Sequence, residues 1–277
     1  MTLNTYIMNF PFSNNPKIGI VGLGFVGSAI ARSMEISTDL ILVDKDTTKG
    51  SHTFKDLADC EGVFVCVPTP MGDDGKCDAS ILEYVLEKLK DYKGVIISKC
   101  TAPPSVYQTL NDQYPNLVHA PEFLTAANAE RDYINGKFAI IGGSVGAYQR
   151  DAERIIRLGQ TALEQVQHCT IQEAALSKYA INSFLSTKVT FMNELYALAT
   201  KTGQDYNKIA SMITMDSRIG NSHMKVPGPD GEFGFGGMCF PKDTSALLKY
   251  AEQQGVQMNV LDSAVKKNLI LRLTEPK

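Results

Sequence analysis

KIGIVGLGFVGSAIARSM, residues 17–34, is the stretch that most strongly indicates the type of fold. A short apolar run, residues 17–21, leads directly into GLGFVG, and an amphipathic stretch follows. Gly22, Gly24 and Gly27 have the G-x-G-x-x-G spacing. In that pattern the first glycine makes a tight turn, the second lets a pyrophosphate approach the backbone, and the third lets the helix pack closely. The stretch therefore predicts a strand, a turn and a helix whose N-terminus binds a dinucleotide.

An acidic residue further along the chain supports this prediction. Asp44 ends the second predicted strand, LILVD at 40–44. It follows the glycine turn at the distance, roughly 20 residues, where a carboxylate accepts hydrogen bonds from a ribose diol. A 2′-phosphate would be repelled by this carboxylate. The sequence therefore predicts NAD rather than NADP as the cofactor.

Apolar runs alternate with longer amphipathic stretches through the first half of the chain. After the first two, such runs recur at 62–67, 94–98 and 137–143. Continuous apolar strands imply burial on both faces of a sheet. The alternation therefore predicts a doubly wound, mostly parallel sheet of Rossmann type with helices on both faces.

The second half of the chain is predicted to be helical. Thr170 and Glu173 have the spacing of a capping box, apolar residues then recur at helical spacing as far as Leu195, and Gly203 is placed to end the helix. We expect one long central helix in a smaller, all-helical domain. The predicted organisation is an N-terminal tail, an NAD-binding domain and a helical domain, at residues 1–16, 17–167 and 168–277.

Composition and charge exclude several classes of protein. The chain has 277 residues, 44% of them hydrophobic, and a formal net charge of −3, which gives no electrostatic reason to expect a nucleic-acid or membrane partner. It contains no apolar run near the roughly 20 residues that span a bilayer, and its first residues lack the basic region of a secretory signal. We therefore expect a cytoplasmic protein. The six cysteines have no Cys-x-x-Cys spacing, so no disulfide scaffold and no metal site are expected.

FGFGGMCFPKD, residues 233–243, contains a candidate nucleophile. Cys239 follows two glycines, and Lys242 and Asp243 come within the next four residues. A nearby cation favours the thiolate over the thiol, and the thiolate is the species that attacks. Most cysteines without such neighbours are inert small hydrophobic residues, and the other five cysteines fit that description.

Other polar residues are candidates for the same chemistry. Lys178 and Asn182 stand four residues apart on the predicted long helix, so they share one face and can polarise a hydroxyl or stabilise an oxyanion. An isolated pair of this kind is more often solvated surface. Glu122, in HAPEFL just after a predicted strand, is a candidate acid or base on the cofactor side. Thr69 and Thr101 stand beside prolines at the ends of predicted strands. Their hydroxyls either lie near a nicotinamide or cap helices.

Together these segments resemble the UDP-glucose/GDP-mannose dehydrogenase family. The family patterns GxGxVG, PTP, KSTVP, PEFL, KxxxN and GFGGxCxPKD recur in the same order over residues 17–265. The resemblance implies that an alcohol of a nucleotide sugar loses hydride to NAD and that Cys239 traps the aldehyde as a thiohemiacetal. A second hydride transfer and hydrolysis of the thioester then give a uronate. The PKD ending resembles that of the enzymes acting on UDP-glucose and GDP-mannose, which favours a simple hexose over an N-acetylhexosamine. Oxidation of UDP-glucose to UDP-glucuronate is the leading expectation, and GDP-mannose is the alternative substrate.

The resemblance also implies roles for single residues. Cys239 would be the nucleophile, and Lys178 and Asn182 would contact the alcohol and the oxyanion. Asp243 and Thr101 would hold the hydrolytic water.

A second group of residues is implied on the cofactor and substrate sides. Glu122 would be the general base, and Arg218, in DSRIG, would reach the substrate of a neighbouring subunit. A homodimer through the long helix is therefore expected. The implied cofactor contacts are Gly22, Gly24, Phe25, Val26, Gly27, Asp44, Val67, Pro68, Thr69, Thr101 and Lys242. The implied substrate contacts are Phe123, Leu124, Lys178, Asn182, Arg218, Phe235 and Gly236.

The sequence departs from the family pattern in three respects. The family has a third, C-terminal domain that binds the nucleotide, and the resemblance does not extend to it, so a separate chain could supply it. The basic, acidic and glycine residues that follow PEFL in the family are replaced by Thr125, Ala126 and Ala127. The loop before GFGG has extra residues around Pro229, Asp230 and Gly231.

Two other functions remain open from the sequence. A single-step β-hydroxyacid dehydrogenase also uses a helical lysine with an asparagine four residues on, but it leaves the GGMC segment unexplained. The second open function is that of a dimeric protein that binds NAD without turnover and needs a partner chain to supply the third domain. The number of NADH molecules formed per substrate separates these possibilities.

Overall fold

A computed structural model of the protein describes residues 15–125 and 128–274. Most of the predicted tail, and the replaced residues Ala126 and Ala127, lie outside the described residues. The chain divides into two compact units. The sheet unit comprises Met1–Pro68, Ser80–Cys100 and Tyr107–Ala174, and the helical unit comprises Thr69–Ala79, Thr101–Val106 and Ala175–Lys277.

The described residues of the sheet unit form seven strands: β1 Lys17–Val21, β2 Asp39–Val43, β3 Gly62–Val65, β4 Val95–Ser98, β5 Leu117–His119, β6 Phe138–Gly142 and β7 Gln165–Cys169. Across the sheet they lie in the order β2-β1-β3-β4-β5-β6-β7. Neighbouring strands are parallel except for β5 and β6. The doubly wound, mostly parallel sheet predicted from the sequence is therefore confirmed.

Helices join most of these strands. They are α1 Phe25–Met34, a 3₁₀ turn at Phe54–Leu57, α2 Ser80–Lys88, α3 Pro104–Gln113, α4 Ala129–Ile134 and α5 Ala147–Gly159. The core forms because the strands are apolar on both faces, and Ile18, Ile20, Phe64 and Ile97 are fully buried there. Burying each such side chain contributes about 1.5–3 kcal/mol.

β7 was not among the predicted strands. Its sequence, QVQHC, is polar at alternate positions, and its residues are exposed or half-buried. It lies at the end of the strand order and pairs only with β6 among the described strands. An edge strand needs no continuous apolar run, so the pattern that identified the central strands does not mark it.

The helical unit is organised around α6, Ile171–Lys201, most of which belongs to it. The predicted capping box is present, since the Thr170 N–H donates to the Glu173 carboxylate at 2.7 Å. Gly203, with φ +73°, follows the end of the helix. The other helices are α7 Tyr206–Ile213, α8 Phe240–Gln253 and α9 Asn259–Arg272.

Two small apolar cores lie among the described residues of the helical unit. Met192 and Tyr206 pack with Met224 in one of them. Tyr179 of α6 packs with Leu247 of α8 and Leu261 of α9 in the other. The second core fixes the long helix against the helix that follows Cys239.

Two kinds of feature are absent from the described part of the chain. None of the helices there combines the length with the apolar composition that crossing a bilayer requires. Over the same residues, no group of three or more His, Cys, Asp or Glu side chains is placed to hold a metal ion.

Candidate functional site

The glycine turn between β1 and α1 has the geometry of a dinucleotide site. Gly22 has φ +90°, and a Cβ built there would lie 2.8 Å from the Cys66 carbonyl oxygen. A Cβ on Gly27 would lie 1.9 Å from the Gly22 carbonyl oxygen, so only glycine allows the helix to pack this closely. Gly24 is different, because a Cβ there meets nothing within 4 Å. The backbone at Gly24 is therefore open to a ligand, and no side chain caps the N-terminus of α1.

Asp44 is held against this turn. It directly follows β2, and its Oδ2 accepts a hydrogen bond from the Leu23 N–H at 2.5 Å. Its Oδ1 accepts one from the Asp46 N–H at 2.8 Å. A carboxylate has about four acceptor positions, so two remain for a ribose diol. Open glycine backbone, an uncapped helix N-terminus and a fixed carboxylate fit the pyrophosphate and ribose of NAD.

The remaining predicted cofactor contacts of the sheet unit lie at the start of α1 and just after β3. Phe25 is exposed and Val26 half-buried in the first turn of α1. Val67 is half-buried and Pro68 is exposed just after β3.

Alanine at the two glycines should separate packing from ligand binding. Gly27→Ala forces the helix away from the turn, and we expect it to lower the free energy of unfolding by about 1–3 kcal/mol, as overpacking does. Gly24→Ala adds a methyl group in open space, so we expect unchanged stability and an NAD affinity about tenfold lower. Thermal unfolding and NAD titration measure the two effects. A Gly24→Ala protein with the parent's NAD affinity would contradict this assignment.

Glu122 lies in the sheet unit, in the connection after β5. It is buried, and its Oε2 accepts a hydrogen bond from the Leu124 N–H at 2.7 Å. The Phe123 ring packs 4.9 Å from the Phe138 ring. This local bonding fixes the direction of the carboxylate, which a general base requires.

Cys239 differs from the other cysteines in its exposure. Of the six cysteines, all within the described residues, Cys239 alone is exposed. Burial raises the pKa of Cys60 and of Cys169 to about 11, and it also raises the pKa of Cys66 and Cys77. Cys239 instead stands at the N-cap of α8. Because a helix N-terminus favours a negative charge, this position favours the thiolate.

One turn into α8, Asp243 organises a buried polar network. Its N–H donates to the Cys239 carbonyl at 2.8 Å. Its carboxylate accepts a hydrogen bond from Asn182 Nδ2 at 2.6 Å and pairs with Lys242 Nζ at 2.5 Å. Lys178 is buried one turn before Asn182 on α6. The structure thus brings Asn182, Lys242 and Asp243 into direct contact, and acceptor positions remain on the carboxylate for a water.

A hydrogen bond joins the two predicted threonines. Thr69 Oγ1 donates to the Thr101 carbonyl at 2.7 Å. The next helix, α2, begins only at Ser80, so Thr69 does not stand at its N-terminus. Both residues belong to the helical unit, although each follows a strand of the sheet. Residues 69–79 form a hairpin closed by the Met71–Cys77 bridge. Ser245 of α8 donates to the Gly75 carbonyl at 2.9 Å and ties this hairpin to the helix that begins beside Cys239.

Three of the predicted substrate contacts of the helical unit lie in the long connection between α7 and α8. Phe235 is buried and Gly236 is half-buried there. Arg218 is exposed, and its guanidinium is paired with Asp216 at 2.6 Å.

Two buried asparagines were not identified from the sequence. Asn193 of α6 and Asn268 of α9 bond the backbone of Gly234 and Phe235. Each is a polar residue at a core position of an amphipathic helix. That position is the sequence signal that could have revealed them, because a buried amide needs a partner.

Fold and glycine turn together define a dinucleotide-binding protein of the Rossmann class. The chain belongs to the UDP-glucose/GDP-mannose dehydrogenase family. The sequence model of the family's NAD-binding domain matches residues 50–158, and that of its central domain matches residues 172–269. The resemblance stated from the motifs is therefore confirmed, and NAD is the cofactor.

Several curated proteins are similar in sequence. UDP-glucose 6-dehydrogenase TuaD of Bacillus subtilis is 32% identical over 219 residues, which cover 74% of this chain and 46% of that protein. UDP-glucose 6-dehydrogenase of Pseudomonas aeruginosa is 32% identical, with 76% of this chain and 49% of that protein covered. The chain spans about half the length of these two relatives. AglM of Haloferax volcanii, also a UDP-glucose 6-dehydrogenase, is 27% identical in sequence. The match covers 91% of this chain and 69% of AglM.

Solved structures show the same fold. A UDP-glucose dehydrogenase from Pyrobaculum islandicum has a TM-score of 0.79 at 22% identity and covers 94% of this chain and 70% of its own. The 3-hydroxyisobutyrate dehydrogenase of Mycobacterium tuberculosis has a TM-score of 0.69 at 16% identity. The match covers 91% of this chain and 92% of that protein. At these identities the likeness concerns the fold alone.

Proposed function

We propose that this chain acts as an NAD-dependent nucleotide-sugar dehydrogenase that oxidises UDP-glucose to UDP-glucuronate through a covalent intermediate on Cys239. One observation carries the proposal: the exposed cysteine at the N-cap of α8 lies one turn before the buried Asp243–Asn182–Lys242 network. Family membership and the UDP-glucose 6-dehydrogenases among the relatives support the substrate.

The residues of the helical unit suit the proposed steps. NAD, when bound, accepts one hydride in each of two oxidations. Lys178 and Asn182 contact the alcohol and stabilise the oxyanion that forms from it. The Cys239 thiolate adds to the aldehyde carbon and forms a thiohemiacetal, which becomes a thioester when the second hydride leaves.

Hydrolysis completes the proposed reaction. A water held by Asp243 and Thr101 attacks the thioester carbon, with Glu122 as the general base, and the sulfur leaves as thiolate. The overall balance is one alcohol, two NAD⁺ and one water to one carboxylate, two NADH and three protons. This chemistry explains why one chain carries both a dinucleotide site and an activated cysteine.

The competing one-step oxidation has less support. The likeness to 3-hydroxyisobutyrate dehydrogenase extends to the fold only. An oxidation that stops at the carbonyl stage gives no role to a cysteine that is exposed at a helix N-terminus.

NADH stoichiometry tests the proposal. The 277-residue chain is incubated with NAD and, separately, with UDP-glucose, GDP-mannose and a set of β-hydroxyacids, and both NADH and uronate are measured. We expect two NADH per UDP-glucuronate. One NADH per oxidised hydroxyacid would establish the one-step function. NAD binding without turnover, also after addition of a separate chain carrying a nucleotide-binding domain, would overturn the proposed activity.

We further propose that two copies of the chain associate through α6. Leu176, Phe184, Phe191 and Leu198 are 44%, 70%, 60% and 60% exposed. Steps of seven or eight residues place them on one face of the helix. An apolar stripe of this length on a water-facing helix is typical of an interaction surface. In such a dimer, the exposed Arg218 is proposed to reach the partner's substrate.

A charge in the middle of this stripe should prevent association. We expect Phe191→Glu to shift the protein from dimer to monomer in light scattering, because a buried carboxylate without a partner is strongly unfavourable. Gln253→Glu places the same charge at an exposed position of α8 and should leave the dimer intact. A monomeric parent protein at micromolar concentration would rule out this interface.

A further inference from the structure

Two buried asparagine side chains form hydrogen bonds with the main chain just before Cys239. Asn193 Oδ1 accepts the Gly234 N–H at 3.0 Å. Asn268 Oδ1 accepts the Phe235 N–H at 2.7 Å, and Asn268 Nδ2 donates to the Phe235 carbonyl at 2.9 Å. One carboxamide thus pairs with both polar groups of a single residue, as a neighbouring strand would.

Both asparagines are rigidly placed. Asn193 and Asn268 are 3% and 5% exposed, and they project from the interiors of α6 and α9. Asn193 Nδ2 donates to the Val189 carbonyl at 2.8 Å, which leaves its Oδ1 to face the loop. At Asn268 the donor and acceptor of Phe235 determine which end of the amide faces which group.

Gly234 and Asn268 fit each other sterically. Gly234 has φ +73°, and a Cβ there would lie 2.2 Å from Asn268 Oδ1. Any side chain at this position would therefore be strained and would push the amide away.

The same loop has two further attachments. Arg272 of α9 pairs with Asp230 at 2.8 Å. The Phe235 ring makes an edge-on contact with the Phe240 ring, 6.2 Å between centroids, and Phe240 is the first residue of α8. Phe235 is thus held through both its backbone and its ring.

The stretch from Phe235 to Cys239 has little stiffness of its own. Gly236 and Gly237 lie within it, and Gly237 has φ +75° with nothing within 4 Å of a built Cβ. Two consecutive glycines have wide conformational freedom. An anchor on the preceding residue therefore restricts the orientations that Cys239 can adopt.

We propose that Asn268, assisted by Asn193, is the positioning residue for Cys239: it fixes Phe235 and so keeps the thiol at the N-cap of α8. The consequence for catalysis rests on the proposed function, whereas the positioning itself does not. Asn268 acts through the main chain and contacts neither the substrate nor the cofactor in this role.

The test compares Asn268→Leu with Asn259→Leu, an exposed asparagine on the same helix. For Asn268→Leu we expect hydrogen exchange at the Phe235 amide to become about tenfold faster, because a buried hydrogen bond is lost. The rate of Cys239 alkylation by iodoacetamide should fall severalfold at neutral pH, since the thiol leaves the helix N-terminus. If the parent turns over, kcat should fall about 100-fold with an unchanged KM for NAD. Asn259→Leu should match the parent in hydrogen exchange at Phe235, in the rate of Cys239 alkylation and in kcat.

If Asn268→Leu does not fold, Asn193→Ala tests the positioning role instead, because it removes a single hydrogen bond from the same loop. It should change exchange and alkylation in the same directions by smaller factors. Folded variants in which Phe235 exchange and Cys239 alkylation equal those of the parent would overturn the positioning role. A parent that forms no NADH would refute the proposed function, while the exchange and alkylation measurements would still decide the role of Asn268.

Discussion

Cys239→Ser is expected to lower uronate formation from UDP-glucose by about 1000-fold or more, the size of effect seen when an enzyme loses its nucleophile. A serine hydroxyl at the N-cap of α8 stays protonated at neutral pH, so it does not trap the aldehyde. No thioester forms, and the second oxidation stops. NADH absorbance and uronate analysis measure the loss, and NAD titration shows whether the cofactor still binds.

Cys169→Ser is the matched control for this substitution. Cys169 is half-buried, and burial raises the pKa of its thiol to about 11, so it has no thiolate to contribute at neutral pH. We expect the Cys169 variant to keep the parent's rate. A Cys239→Ser protein that releases uronate as fast as the parent would remove the basis of the covalent mechanism.

Asp243→Asn is expected to reduce both activity and stability. Asp243 is 1% exposed, and its carboxylate pairs with Lys242 and accepts a bond from Asn182. The neutral amide leaves the Lys242 ammonium without its anion and has only one oxygen for the two donors. Lys242 can partly turn to water, so we expect a loss of about 1–3 kcal/mol in the free energy of unfolding. The loss of the oriented Asn182 should lower kcat by about 100-fold to 1000-fold.

Asp262→Asn on α9 makes the same change in a different environment. Asp262 pairs with Lys266 at 2.6 Å, but both side chains are substantially exposed. Exposed ion pairs contribute about 0–1 kcal/mol, so little change is expected. Thermal unfolding and steady-state kinetics of the two variants provide the comparison. Equal effects at the two positions would mean that the buried network has no special role.

Local patterns were sufficient for much of the fold. The turn at Gly22 to Gly27 has its cause within the residues of one strand, one turn and one helix, and the glycine contacts of the structure explain the same spacing. Thr170 and Glu173 cap α6 as their three-residue spacing predicted, because a capping box involves one helical turn only. Asp44 directly follows β2, as its position after an apolar run indicated. Its bond to the Leu23 N–H of the turn was not predicted.

Tertiary contacts decided the features that sequence patterns did not predict. β7 is half-exposed at an edge and carries no continuous apolar run. Residues 69–79 follow a strand of the sheet, yet Ser245 holds them within the helical unit, a contact that joins residues 170 positions apart.

Local spacings and ordered motifs were enough to predict the Rossmann-type sheet, the long helix, the cofactor and the family, because each depends on residues within a few turns or on motifs in a fixed order. No such pattern predicts that Asp243 bonds Asn182, 61 residues away, or that Asn268 bonds Phe235, 33 residues away. A polar side chain on a helix has many distant donors and acceptors available to it. The packing of α6, α8 and α9 determines which of them it meets.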